Sequence, residues 1–254
     1  MSQKKPFIGI TGFMSAQEIT DTLKGVDYKK TDRLIMIGVL ASLKTLQGLD
    51  NKFLLRYPRL LEISNIFQEN ENHLNLIHYS SKELNLAQLF QIEEIAGNRF
   101  NGFQLNTAWP DPSILNRFKV SCPGKIISLF IGEEALEKID YSPEKLSKKI
   151  NNEYAGLIDY VLLNPNGCTG KDFDPIVTRC YLEELNEYQN YFGLGVSGNF
   201  SSSTINLVEP IINDFPNISI SAEGKSLRTL QDNLDIQKAS LFVEKSEELF
   251  CFKY

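Results

Sequence analysis

Residues 160–174, YVLLNPNGCTGKDFD, join a short apolar run to a loop of asparagine, proline and glycine. The run 160–163 is typical of a buried β-strand, and the residues after it cannot continue that strand. Such a loop leaves backbone N–H groups and short polar side chains free at the carboxyl end of the strand. In parallel α/β proteins, ligands bind at that end of the sheet. The stretch therefore predicts a parallel sheet with a ligand site at its edge.

Seven further apolar runs of this kind alternate with segments of helical spacing. The eight predicted strands cover residues 7–11, 34–40, 74–79, 102–106, 125–131, 160–163, 193–197 and 218–221. Strand–helix units repeated without a linker predict a single (β/α)8 TIM barrel over residues 1–254, which is a usual size for this α/β fold. An open doubly wound sheet is the alternative, but it usually needs fewer repeats at this length.

The connections carry helix signals of uneven strength. Ser15 with Glu18 forms a capping-box pattern, which predicts a helix start. Residues 201–212 predict a further helix after the seventh strand. The connection 44–68 is the least regular, because Pro58 would break or kink a helix there. We expect a loop in this connection, followed by a helix that starts near Pro58.

Composition and charge exclude several classes of protein. The 254 residues are 42% hydrophobic and 23% charged, which suits a large core and not a disordered chain. The net charge of −6 argues against nucleic acid or an anionic membrane as a partner. Four cysteines and two histidines show no metal-binding spacing, so we expect no metal site and no cofactor, although Mg²⁺ can enter with a phosphorylated ligand. The sequence has no apolar leader and no run of about 20 apolar residues, so we expect a cytoplasmic protein. For its oligomeric state we expect a monomer or a homodimer.

Polar side chains that follow the strands meet at one face of a barrel, its mouth. Three asparagines lie at such positions and are predicted to bind the substrate, namely Asn106, Asn164 and Asn166. Neutral amides suit hydrogen bonding to a sugar or amide ligand better than proton transfer.

The loops after the seventh and eighth strands have the pattern of a phosphate site. Each has a glycine turn flanked by small residues or hydroxyls, and the second adds a cation. Phosphate in these barrels typically binds between these two loops, at the start of a short helix. The predicted phosphate-binding residues are Ser197, Gly198, Asn199, Ala222, Gly224 and Lys225. Glu223 inside the second loop weakens this interpretation, and simple turn and cap formation is the alternative.

Several of these segments resemble phosphoribosylanthranilate isomerases. FIGIT at 7–11 resembles their K-x-C-G-x-T start, and NGFQLN at 101–106 resembles their V-Q-L-H strand. Residues 159–174 are similar to their L-L-D-T and G-G-x-G-K-x-F-D-W segments, and GVSGN at 195–199 lies at the place of their S-G-G-L phosphate turn. The resemblance spans nearly the whole chain in order, and T-G-K-x-F-D is its most specific part. It implies a barrel for a phosphorylated sugar, with Lys171 contacting the ligand phosphate or carboxylate.

The catalytic residues of that family are not retained. Its general base, a cysteine in the first strand, falls on Ile8, and its general acid, an aspartate that ends the sixth strand, falls on Asn164. The aspartate of its eighth strand falls on Ser219, or on Ser221 if the register shifts. The Amadori rearrangement needs one group that protonates the ring oxygen and another that removes the C2 proton. Isoleucine and an amide can do neither, so we expect a related phosphorylated ligand with altered or absent chemistry.

Three residues are candidates for a substitute catalytic role. Cys168 lies beside Lys171, and a nearby cation lowers the pKa of a thiol, although most single loop cysteines are unreactive. His78 could serve as a base near neutral pH, but strand alternation equally allows it to point outward. Asp111 lies on the active face, with a helix-terminal carboxylate as its alternative role. The expected function is an isomerase or lyase for a phosphorylated sugar or related small metabolite, or a non-catalytic, degenerate isomerase that binds a ligand or partner.

Overall fold

The computed structural model describes residues 4–28, 31–84, 86–165, 173–187, 191–222 and 224–251. Eight parallel strands pair in chain order and form a closed barrel, with β8 against β1. The strands are β1 Phe7–Thr11, β2 Leu34–Ser42, β3 His73–Ser80, β4 Gly102–Asn106, β5 Ile126–Ile131, β6 Tyr160–Leu163, β7 Gly193–Gly198 and β8 Ser219–Ala222. Closure of the ring confirms the predicted (β/α)8 barrel and excludes the open sheet.

Helices surround the barrel and connect its strands. They are α1 Ala16–Leu23, α2 Leu43–Leu46, α3 Ile63–Ile66, α4 Gln88–Ala96, α5 Pro112–Ser121, α6 Glu133–Glu137, α7 Pro143–Lys149, α8 Pro175–Asn186, α9 Glu209–Asp214 and α10 Ile236–Cys251. Short 3-10 turns lie at Leu54–Arg56, Leu60–Glu62, Ile205–Val208 and Lys225–Leu227, and a π-helical turn, Ile150–Tyr154, extends α7. No helix in the described ranges is both long and apolar enough to span a membrane.

Strand side chains alternate between the barrel interior and the surrounding helix layer. On β1, Ile8 belongs to the large core shared with the helices, whereas Phe7 belongs to a separate cluster inside the barrel. The interior cluster consists of Phe7, Met36, Leu74, Leu76, Phe130, Tyr160 and Leu162. The barrel is thus a packed core, and a ligand site is left to its mouth.

Two buried charged side chains close the amino-terminal end of the barrel. The carboxylate of Asp159, which precedes β6, accepts hydrogen bonds from Lys4 at 2.6 Å, from Lys119 at 2.7 Å and from the backbone of Ile127 at 2.8 Å. Arg33, which precedes β2, donates to the backbone carbonyl groups before β8. These contacts hold together segments far apart in the chain, so they stabilise the closed ring away from the mouth.

Two connections differ from the predicted helices. The helix predicted over 201–212 is instead a 3-10 turn followed by α9, because the hydroxyl of Thr204 accepts from the backbone N–H of Ser201 at 2.9 Å and forms a local turn. In the connection 44–68, α3 begins only at Ile63, beyond Pro58, after short 3-10 turns. The predicted start of α1 is confirmed, since Ser15 caps it by accepting from the N–H of Glu18.

Candidate functional site

Two asparagine side chains lie at the mouth on either side of β5. Asn106 ends β4, and Asn164 follows β6 at an interior-facing position where it is only 5% exposed. Within the part of the chain that the structure describes, neither side-chain amide makes a hydrogen bond. Both amides are therefore available to a ligand, in agreement with their predicted binding role, which remains a prediction.

A cavity of about 280 Å³ opens beside Asn106. Its lining combines one aromatic wall with polar groups: Asn106, Ala108, Phe130, Gly132, Glu133, Glu134 and Ala135. The two glutamates begin α6 and are exposed. A cavity with one apolar wall and an oxygen-rich rim suits a ligand that carries several hydroxyl groups.

His78 lies inside the barrel, two residues before the end of β3 at the mouth. It shares the interior face of β3 with Leu76 and is buried, at 3% exposure. Nε2 of Gln104 lies 2.9 Å from Nδ1 of His78, and the ring packs edge-on against Phe130 with centroids 6.1 Å apart. An amide nitrogen only donates, so Nδ1 is the acceptor in this hydrogen bond. The side chain thus points inward, which the sequence left undecided.

Asp111 performs the helix-terminal role that was the alternative to catalysis. Its carboxylate caps α5 by accepting from the N–H of Ser113 at 2.8 Å. The preceding turn is rigid, because the indole of Trp109 donates to the carbonyl oxygen of Ala135 at 2.9 Å. A carboxylate engaged in this cap has a structural reason for its position, and its catalytic role stays a prediction.

The predicted phosphate residues are brought together at the ends of β7 and β8. Gly198 pairs in register with Ala222, so the two following loops start side by side. Oδ1 of Asn199 accepts from the N–H of Ser226 at 3.1 Å, which joins the loops directly. Gly224, with φ of 103°, allows the sharp turn into the 3-10 helix Lys225–Leu227.

The predicted phosphate-binding residues differ in the atoms that each can present to a ligand. Ala222 belongs to the helix-facing core, so only its backbone can contact a ligand at the mouth. Ser197 faces the interior, is fully buried, and its hydroxyl has no hydrogen-bond partner among the described residues. Lys225 is exposed at the turn, where its ammonium group makes no ion pair with the described acids. This arrangement leaves the cation of Lys225 exposed at the joined loops, with the hydroxyl of Ser197 buried on β7.

Two polar groups near this corner were not among the predicted binding residues, although Ser221 was named as one possible match for the eighth-strand aspartate of the family. Ser221 pairs with Ser197 in register, and its hydroxyl is likewise buried without a partner in the described chain. Arg228, on the loop after β8, is 5% exposed and donates to the backbone oxygens of Thr11 and Gly12. The alternation in Ser-Ile-Ser at 219–221 could have indicated Ser221, whereas nothing in the sequence distinguishes Arg228 from an exposed loop arginine.

The residues that replace the catalytic groups of the isomerase pattern can be located in the barrel. Ile8 faces the helices, and the interior positions of β1 are Phe7, Gly9 and Thr11, none of which carries a titratable side chain near neutral pH. The hydroxyl of Ser219 accepts from the N–H of Phe7 at 3.1 Å, deep in the barrel. Ser221 is therefore the mouth-side serine of β8. The described part of β1 supplies no general base.

Four residues singled out from the sequence lie in segments that the structure does not describe. Asn166, Cys168, Lys171 and Glu223 lie outside the described residues. Within the described ranges, no group of three or more histidine, cysteine, aspartate or glutamate side chains is arranged to hold a metal ion.

Comparisons with known proteins identify the architecture. No protein-family model matches the chain, and no curated protein matches its sequence. The phosphoribosylanthranilate isomerase of Thermus thermophilus has a similar structure, with a TM-score of 0.63 at 10% identity over 95% of this chain and 98% of that one. A phosphoribosylanthranilate isomerase in complex with reduced 1-(o-carboxyphenylamino)-1-deoxyribulose 5-phosphate gives 0.61 at 12% identity, over 96% and 100%.

A third structure has a similar barrel but a different ligand. A Clostridium thermocellum protein that binds two copies of 5-methyl-5,6,7,8-tetrahydrofolic acid has a TM-score of 0.55 at 10% identity, over 96% of each chain. Identities this low show the fold alone. The resemblance to phosphoribosylanthranilate isomerases is thus confirmed for the barrel, and function has to be argued from the site.

Proposed function

We propose that the mouth of the barrel binds a phosphorylated sugar or a related phosphorylated small metabolite. The observation that carries this proposal is the hydrogen bond between Asn199 and Ser226, which joins the loops after β7 and β8. Phosphate typically binds between these two loops in such barrels, at backbone N–H groups beside a short helix. The exposed cation of Lys225 lies at the same turn.

The remainder of the ligand is proposed to extend across the mouth toward β4 and β6. The amides of Asn106 and Asn164 can each donate and accept hydrogen bonds, which matches sugar hydroxyls. The cavity beside Asn106 provides the space, with Phe130 as an apolar wall against a sugar ring. Asn166 and Lys171 are proposed to contact the ligand from the loop after β6.

We infer isomerase- or lyase-type chemistry, with His78 as one proton-transfer group. His78 is a titratable side chain that lies in the barrel interior below the mouth, and Gln104 holds its ring by a hydrogen bond. Proton abstraction next to a carbonyl needs a base, and a second group must move a proton at the oxygen. Cys168 and Asp111 are the proposed candidates for that second group.

A specific observation favours the non-catalytic alternative. The interior-facing residues at the described strand ends carry hydroxyl, amide or no side-chain groups: Thr11, Ser42, Ser80, Asn106, Gly132, Asn164, Ser197 and Ser221. A neutral ring of this kind suits binding without proton transfer. Under this alternative the protein is a degenerate isomerase that senses a phosphorylated ligand.

Thermal denaturation with ribose 5-phosphate, and with ribose as the matched control, tests ligand binding. A ligand at 100 times its Kd should stabilise the fold by ~2.7 kcal/mol. We expect ribose 5-phosphate to raise the midpoint, ribose to leave it unchanged, and Lys225→Ala to reduce the effect of the phosphate. If no phosphorylated sugar raises the midpoint, the proposed function is wrong.

Deuterium exchange separates the enzyme from the binding protein. An isomerase that removes a carbon-bound proton will introduce deuterium from D2O at that carbon, which NMR of the recovered sugar phosphate detects. We expect exchange that His78→Gln abolishes. Exchange that survives His78→Gln, Cys168→Ala and Asp111→Asn, each made singly, contradicts the residue assignments, and binding without exchange supports the non-catalytic alternative.

A further inference from the structure

Arg228 places a buried guanidinium against the end of β1. Its Nη2 donates to the backbone oxygens of Thr11 at 3.0 Å and Gly12 at 3.1 Å, whereas its Nη1 is buried without a partner among the described residues. Gly12 has a φ of 101°, and a Cβ at this position would lie 1.8 Å from Nη2. The glycine is therefore required for the guanidinium to occupy this place.

No carboxylate forms a close ion pair with Arg228 within the described chain, although the charges of Asp232 and Glu18 favour its protonated form. Asp232 itself forms a two-pronged pair with Arg56, whose Nε lies 2.9 and 2.8 Å from the two carboxylate oxygens. Burial, with a contribution from the neighbouring Arg56, lowers the pKa of Arg228 to about 10. A buried guanidinium stays charged and is costly without a close counterion, so an anion that pairs with Arg228 would stabilise it.

Two further polar groups without partners lie on the same side of the barrel. Thr11 Oγ1 on β1 and Ser221 Oγ on β8 are buried and make no hydrogen bond with the described residues. β1 and β8 are adjacent strands, and Arg228 lies on the loop after β8, directly after the 3-10 turn Lys225–Leu227. Buried polar groups usually have hydrogen-bond partners, and hydroxyl groups together with a guanidinium are the donors that an oxyanion binds.

We propose that Arg228 is the counter-charge for the phosphate group of the ligand and contacts it from the loop after β8. The inference rests on the proposed function and adds a binding residue to it. A guanidinium presents N–H groups in a fixed fork that matches two phosphate oxygens. Because Nη1 is buried, the phosphate reaches it only when the Arg228 side chain or the loop after β8 shifts toward the mouth.

Isothermal titration with inorganic phosphate, at constant ionic strength set with sodium chloride, tests the proposal. The variants are Arg228→Met, Arg228→Lys and, as the matched control, Arg33→Met. Arg33 is also a buried arginine that donates to two backbone oxygens, those of Ile218 at 2.6 Å and Pro216 at 2.5 Å, but it lies at the opposite end of the barrel. Any general effect of removing a buried guanidinium is therefore measured separately from the loss of the site.

We expect Arg228→Met to weaken phosphate binding roughly 10- to 100-fold and Arg33→Met to leave the Kd within about twofold. Equal affinity in the wild type and Arg228→Met overturns the inference and leaves the proposed function intact. Absence of phosphate binding in the wild type overturns both. If Arg228→Met does not fold, Arg228→Lys decides, because a lysine lacks the fork and an unchanged Kd would contradict the proposed contact.

Discussion

The side chain of Asn199 accepts a hydrogen bond from the backbone N–H of Ser226 at 3.1 Å and so connects the loops after β7 and β8. Asn199→Ala removes the acceptor. We expect a loss of about 0.5 kcal/mol in the free energy of unfolding, the low end for one hydrogen bond, because this one lies at an exposed site. Phosphate binding should weaken as well, because the two loops are no longer held together. Urea denaturation and phosphate titration measure the two effects.

The substitution Asn199→Asp tests the hydrogen bond to Ser226 separately from the effect of a negative charge beside the bound phosphate. Aspartate retains an oxygen that can accept from Ser226, so stability should remain near that of the wild type. The added negative charge should repel an anion bound at the joined loops and lower the affinity for phosphate. An aspartate variant that binds phosphate as tightly as the wild type would show that no anion lies beside residue 199.

Asp159 provides a prediction at the opposite end of the barrel. Burial opposes its charged form, but hydrogen bonds from Lys119 and Lys4 outweigh this and hold the pKa of Asp159 below its ordinary value. Its contribution to stability is therefore present above the unfolded-state pKa, near 3.9, and is lost as the pH falls through the folded-state pKa. Asp159→Asn should cost about 3 kcal/mol at pH 7, the low end for a broken buried pair.

Urea denaturation at pH 7 and at pH 2.5 gives the test, with Asp214→Asn as the control. Asp214 pairs with Arg179 at 2.7 Å, and both side chains are well exposed, so its loss should cost less than about 1 kcal/mol. The deficit of Asp159→Asn should shrink at the lower pH. A deficit that is independent of pH would mean that packing, and not the charge of Asp159, stabilises this end of the barrel.

The sequence predicts structural features that depend on local residue patterns better than features that depend on contacts between distant residues. The strands were located to within two residues at each end, because short apolar runs bounded by turn residues are local signals. Barrel closure followed from the number of repeats. The helix predicted over 201–212 starts later than expected, as a 3-10 turn that leads into α9, because the hydroxyl of Thr204 stabilises a local turn at Ser201.

Side-chain direction at the site was not predictable from the pattern. β1 is buried at all five positions, and β3 at all but its last, so neither strand shows the alternation of a half-exposed sheet. The faces of Ile8 and His78 are decided only by register with neighbouring strands. Arg228 illustrates a second limit, since its hydrogen bond to Thr11 joins positions 217 residues apart. Its burial comes entirely from closure of the barrel.

Glu247, on α10, predicts a pH dependence of stability near neutrality. Burial, with repulsion from Asp27 and Glu244, raises the pKa of this carboxyl to about 7. Oε1 is buried without a hydrogen-bond partner among the described residues. Because the folded-state pKa is raised, the associated stability is fully present below the unfolded-state pKa, near 4.3, and is lost as the pH rises through about 7. The native fold should therefore be less stable at pH 8 than at pH 5.

Glu247→Gln removes this dependence. At pH 8 the variant should be more stable than the wild type by about 1 kcal/mol, a value reduced for the partial exposure of the side chain. At pH 4 the two proteins should be equally stable. Glu248→Gln is the matched control, because Glu248 pairs with Lys245 at 2.6 Å and should show no such gain at pH 8. Equal stability of Glu247→Gln and the wild type at pH 8 would contradict the raised pKa.

The final prediction concerns the reaction of the family that the fold resembles. The chain should not restore growth of a tryptophan auxotroph that lacks phosphoribosylanthranilate isomerase. Each missing proton-transfer group typically costs 10²- to 10⁴-fold in rate, and here both the base of the first strand and the acid of the sixth are absent from their positions. Ile8 faces the helices, and Asn164 presents an amide to the mouth. Growth would contradict this account.

Asn164→Asp sharpens the same test. The substitution places a carboxyl group at the end of β6, where the amide now lies buried at 5% exposure, and leaves β1 with the interior residues Phe7, Gly9 and Thr11. One group alone cannot both protonate the ring oxygen and remove the C2 proton in concert. The variant should therefore also fail to complement. Rescue by Asn164→Asp alone would mean that another side chain, with His78 as the nearest candidate inside the barrel, already serves as the base.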